Sequence, residues 1–101
     1  MSPIRLTRTV RDVLDVFLAH PESETYGLLV CQTTGLGPGT VYPILSRLVR
    51  VGWLQTSWEK EHVGQGPKRR LYRLTSKGLA EAPEALKVRE RALRSRLGWA
   101  R

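Results

Sequence analysis

Little in this chain could serve covalent or metal chemistry. It holds one cysteine, Cys31, so it can form no internal disulfide and no metal cage of its own. The two histidines, His20 and His62, stand alone, with no carboxylate or second ligand paired to them. No phosphate-binding glycine loop, nucleophile–base pair or metal motif is legible, so enzyme chemistry, cofactors and metals have no candidate residues. No apolar run approaches the ~20 residues of a membrane span. The opening MSPIRLTRTV lacks the apolar core of a secretion signal, and a cytosolic location is expected. Repeats and low-complexity tracts are missing too. Acid is scarce, with 9 Asp+Glu against 17 Lys+Arg and a net charge of +8. That excess favours a polyanion, either nucleic acid or an acidic membrane surface, without choosing between them.

What is present suits one compact domain of 101 residues, 41% of them hydrophobic. The organising stretch is GPGTVYPILSRLVRVGW, residues 37–53. Pro38 suits a first helical position and Gly52 a C-terminal stop. At about 100° per residue, Val41, Ile44, Leu45 and Leu48 share one side. Gly39, Pro43, Ser46 and Arg50 lie opposite, flanked by Tyr42 and Arg47. Small residues, two arginines and a tyrosine make a face able to enter a major groove and touch phosphates. A solvated amphipathic helix would look the same in isolation, so the neighbouring segments decide.

Upstream, Leu6, Val10, Val13, Leu14 and Phe17 mark a buried helical stripe over residues 7–20. Arg5, Arg8 and Arg11 sit near its start, either merely tolerated or retained for a phosphate. A second helix is expected over residues 24–33, capped by Ser23, with Tyr26, Leu29 and Val30 facing the core. Gly27 should admit a neighbouring helix, and Gly35 should end the segment. Two helices joined by TGLG make a helix-turn-helix. After Gly52 the period changes to two. Residues 53–58 read as a strand, KEHVGQGP as a mobile loop, and RRLYRLT as the returning strand. From Thr75 or Ser76 the chain is helical again. Leu79, Leu86 and Leu93 are seven apart and Leu97 follows, which suits a seam with a partner helix. Pro83 should kink this helix or split it in two. Cys31 reads as a small buried filler, with redox sensing the alternative.

Helix, helix-turn-helix, basic-tipped wing and terminal helix, in that order, make a winged helix. The class is mainly α with a small two-stranded β wing. Residues 1–75 would form the DNA-binding domain and 76–101 a dimerisation helix. The segments YGLLV, GPGTVYPILSRL, VGWL and GPKRRLYRLTSKG resemble the PadR family of bacterial transcriptional regulators, over nearly the whole chain. The short terminus is similar to the subfamily in which one C-terminal helix builds a homodimer.

The resemblance implies that Thr40, Tyr42 and Pro43 head the recognition helix, with the hydroxyls on phosphates. It implies that Ser46, Arg47 and Arg50 face the groove of double-stranded DNA, and that Lys68, Arg69 and Arg70 form the basic wing. It offers Trp99, on the terminal helix, as a contact for a small aromatic effector, beside the plainer role of packing on the partner. A regulatory protein could play the effector's part. Val49 stands where many members carry an acidic residue and Leu71 where many carry tyrosine, so base preference does not carry over. The implied function is a homodimeric repressor on an inverted-repeat operator, in the bacterial cytoplasm at the nucleoid. Two alternatives from other classes are an adaptor that binds only protein, and a peripheral membrane protein lying on its basic terminal helix. Glu81, Glu84 and Glu90 weigh against the second.

Overall fold

Apolar residues at helical spacing set most of the architecture. The computed structural model describes residues 4–60 and 68–97. Helix α1 spans Arg8–Ala19 and buries Val10, Val13, Leu14 and Phe17, with Leu6 buried just ahead of it. Thr7 caps it, its hydroxyl accepting the Val10 N–H at 3.4 Å. Arg11 lies 3.3 Å from Glu90 of the last helix and 4.0 Å from Asp15, so its charge is engaged within the protomer. Two further helices, α2 (Gly27–Thr34) and α3 (Pro38–Arg50), form the helix-turn-helix. Gly35 leaves α2 at φ 77° and Gly52 follows α3 at φ 86°, a left-handed backbone that glycine adopts without a Cβ clash.

The segment before α2 departs from the expected helix. Thr25–Tyr26 is a short strand, β1, and α2 begins only at Gly27, with Tyr26 rather than Ser23 at its cap position. Strands β2 (Leu54–Trp58) and β3 (Arg70–Leu74) form the wing, and β1 joins them to give an antiparallel sheet in the order β1-β3-β2. The cause is tertiary. Thr25 pairs with Tyr72 and Tyr26 with Leu71, which covers the free edge of β3. Leu29, expected in the core, is instead 39% exposed, while Val30 and Cys31 are buried.

A joint fixes the wing and the last helix, α4 (Ser76–Arg96), to the end of α3. Trp53 is fully buried, and its indole N–H donates to Glu81 at 3.1 Å. The Thr75 N–H donates to the Trp53 carbonyl at 3.0 Å. The Thr75 hydroxyl donates to the Gly52 carbonyl at 2.5 Å and accepts the Gly78 N–H at 2.9 Å, capping α4. Gly78 lies against the Trp53 backbone with no room for a side chain. The core is continuous from Leu6 through Trp53 to Ala82.

Helix α4 runs unbroken through Pro83, so the terminal segment is one helix and not two. The carbonyl that Pro83 leaves without its helical donor belongs to Leu79, a residue on the exposed side of α4. Residues 61–67, which hold His62 and the expected mobile loop, lie outside the described residues, as does Trp99.

Candidate nucleic-acid interface

Helix α3 presents one uninterrupted basic and small-residue face. Burial of Val41, Ile44, Leu45 and Leu48 fixes its rotation, which leaves Gly39, Thr40, Tyr42, Pro43, Ser46, Arg47 and Arg50 exposed. The helix contains no acidic residue, so neither arginine is neutralised along it. Both lie in its last turn, where the negative end of the helix dipole favours a cation. Arg47 makes one long bond, its Nε–H donating to the Pro43 carbonyl at 3.4 Å.

The head of α3 meets the wing across Gly27. An added Cβ on Gly27 would sit 2.5 Å from the Tyr42 hydroxyl oxygen and overlap the ring, so Tyr42 rests on that glycine. Burial pushes the Tyr72 hydroxyl above its ordinary range; the Arg70 cation opposes that shift and Tyr42 adds to it. Tyr42, Tyr72 and Arg70 therefore share one neighbourhood. A groove of about 250 Å³ runs there, lined by Tyr26, Gly27, Tyr42, Lys68, Arg69 and Arg70.

Aromatic rings support both wing arginines. The Arg69 guanidinium lies 4.4 Å over the Tyr26 ring and that of Arg70 lies 4.5 Å over Trp58. The stem is also closed by backbone. The Arg69 N–H donates to the Glu59 carboxylate at 3.0 Å, and the Glu59 N–H donates to the Arg69 carbonyl at 2.9 Å.

Of the residues singled out by sequence, Tyr42, Lys68, Arg69 and Arg70 converge on the groove. Thr40, Pro43, Ser46, Arg47 and Arg50 continue along the exposed side of α3. Leu79, Leu93 and Leu97 are exposed on α4, whereas Leu86 is half-buried against the protomer's own core. Sequence reasoning assigned Tyr26 to the core and Trp58 only to a strand, whereas Tyr26 is half-buried under Arg69 at the groove and Trp58 lies under Arg70. For Trp58 a signal existed, since pairing the two strands outward from the core sets it opposite Arg70. For Tyr26 there was none, because its place depends on a strand pairing distant in sequence.

Elsewhere, a mostly apolar hollow of about 500 Å³ lies between α1, α2 and Thr25. It includes His20, Ser23 and Glu24, but among the described residues no side-chain hydrogen bond links these three. Cys31 is buried and free. Among the described residues no group of His, Cys, Asp or Glu could hold a metal ion, and no helix is long and apolar enough to cross a membrane.

Four helices, a three-stranded sheet that includes the two-stranded wing, and a basic helix face define a winged helix-turn-helix protein. The chain belongs to the transcriptional regulator PadR-like family, whose pattern it matches over residues 20–84. It is similar to smu.1704 from Streptococcus mutans UA159, with 26% identity over 99% of this chain and 98% of that one, at a TM-score of 0.63. It is also similar to a PadR-like transcription factor from Bacteroides fragilis, with 26% identity over 87% and 91% of the two chains and a TM-score of 0.62. A possible transcriptional regulator from Methanosarcina mazei Go1 shares the fold, with a TM-score of 0.65 and 22% identity over 92% of this chain and 74% of that one. No curated protein matches the chain. The protein is thus a transcription regulator by family and not an enzyme.

Proposed function

We propose that the protein is a repressor that binds an inverted-repeat operator as a homodimer and blocks a promoter. One observation carries this reading: Tyr42, on the acid-free outer face of α3 that also bears Arg47 and Arg50, lines the same groove as the aromatic-backed wing residues Lys68, Arg69 and Arg70. Thr40 and Tyr42 set the register of the helix on phosphates; Ser46, Arg47 and Arg50 reach base edges. The wing cations hold the flanking backbone.

A protomer makes only a few phosphate contacts, so high affinity requires two. The exposed Leu79, Leu93 and Leu97 on α4 form the seam, and Leu86 ties it to the core. Paired protomers set two recognition helices about 34 Å apart, one DNA turn. A small aromatic effector at the dimer interface, with Trp99 as its contact, or a regulatory protein would relieve repression.

Arg50 and Lys68 separate reading from holding. Arg50→Ala is expected to lose specific over random DNA by about 1–3 kcal/mol, whereas Lys68→Ala should weaken both alike. Competition binding with both duplexes decides it, and equal loss of specificity in the two variants refutes the assignment. Full retention of DNA affinity by the double variant Lys68→Ala, Arg69→Ala would favour a protein-binding adaptor instead.

A further inference from the structure

Trp58 has no place in the core, and beyond lying under Arg70 it has been given no part in binding. It is 57% exposed, although strand alternation puts it on the same sheet face as the buried Leu54. Its cross-strand neighbour in register is Arg70. The Arg70 guanidinium lies over the Trp58 ring, its carbon 4.5 Å from the ring centre. Stacking occupies the flat face of a guanidinium and leaves its N–H edge free. Among the described residues no hydrogen bond or ion pair takes up that edge of Arg70. The adjacent Arg69 differs, since its backbone is bonded on both sides to Glu59 and its side chain lies on Tyr26.

We propose that Trp58 is a positioning residue for DNA binding: its ring holds the Arg70 guanidinium edge-outward, ready to take a phosphate with two parallel N–H bonds. This rests on the DNA-binding reading above and adds to it a residue that acts through another. Arginine is long and flexible, and a side chain already ordered in the free protein loses less freedom on binding. Each backbone phosphate presents a pair of non-bridging oxygens, the acceptors that such a fork fits.

The test is a double-variant cycle on the full chain, using a duplex that the wild-type protein selects from a random pool, at several salt concentrations. Arg70→Ala should make the salt slope shallower by about one, as expected for one lost phosphate contact. Trp58→Ala should weaken binding by about two- to five-fold, the equivalent of one exposed cation–π contact, with the slope unchanged. The double variant should bind no more weakly than Arg70→Ala alone, and Trp58→Phe should restore most of the affinity. In the free wild-type protein, ring-current shielding should move the Arg70 side-chain proton resonances upfield, and Trp58→Ala should abolish the shift.

Additive losses in the double variant would mean that Trp58 touches the duplex itself, and would overturn the positioning role while leaving the DNA-binding reading intact. An unshielded Arg70 in the free protein would overturn it too. A wild-type protein that selects no duplex overturns the DNA-binding reading, and this inference with it. Should Trp58→Ala fail to fold, Trp58→Leu, which keeps an apolar side chain but no ring, replaces it in the cycle with the same expected outcomes.

Discussion

At the scale of single residues, two glycines make opposite predictions although neither has room for a methyl group. At Gly78 the obstacle is backbone, with the Trp53 Cα and carbonyl carbon each 2.9 Å from an added Cβ. Backbone cannot swing aside, so Gly78→Ala must pry α4 from the joint. A loss of more than about 3 kcal/mol is expected, measurable as a lowered urea midpoint. At Gly27 the obstacle is the outer part of the Tyr42 ring, a side chain 42% exposed and free to rotate away. Gly27→Ala should therefore change stability by under about 1 kcal/mol. It should still weaken DNA binding about five-fold, as for one displaced hydrogen bond. Strong unfolding of Gly27→Ala would contradict the seat assigned to Tyr42. Tyr72 adds a pH dependence of definite sign. Burial raises its hydroxyl above the ordinary value of about 10, so the fold favours the neutral form. The resulting stability is complete below that ordinary value and is lost as pH climbs through the raised one. The gap between wild type and Tyr72→Phe in urea midpoint should thus stay constant from neutral pH to about 9 and change only above about 10.

At the scale of elements, legibility follows from how local each cause is. Helix α3 could be placed from sequence because its rotation, start and stop are written in neighbouring residues: Val41 to Leu48 at helical spacing, Pro38 at the front, Gly52 behind. Strand β1 could not, because Thr25 and Tyr26 are extended only by virtue of pairing with β3 far later in the chain. The helix signals around Ser23 and Glu24 were real but weaker than an open sheet edge. Trp58 illustrates a second limit. Alternation assigns a residue to a face, but not the point at which a strand outruns the core beneath it, and β2 goes from buried Leu54 to exposed Trp58 within its five residues. Helix α4 joins two roles along its length. Up to Leu86 it packs on the core, and Glu90 still pairs with Arg11; beyond that every described residue is exposed. Ending the chain after Glu90 should therefore leave a folded protomer and remove the outer half of the leucine seam. Size-exclusion with light scattering is expected to give monomers, and a persistent dimer would move the seam elsewhere.

At the scale of the whole molecule, the proposed function joins charge to two-fold symmetry. A dimer neutralising about six to ten phosphates should lose on the order of a thousand-fold or more in affinity between about 50 and 200 mM salt. The joint around Trp53 matters here because it bonds the end of α3 to the wing and α4, which in the proposed dimer would set the spacing of the two recognition helices. Shared family membership supports regulation, and the basic surface supports DNA as the partner. The decisive measurement is the stoichiometry and salt dependence of binding to a duplex selected from a random pool. Two protomers per duplex on half-sites one helical turn apart, with a steep fall in affinity as salt rises, is the predicted result. One protomer per duplex, or an affinity indifferent to salt, would contradict it.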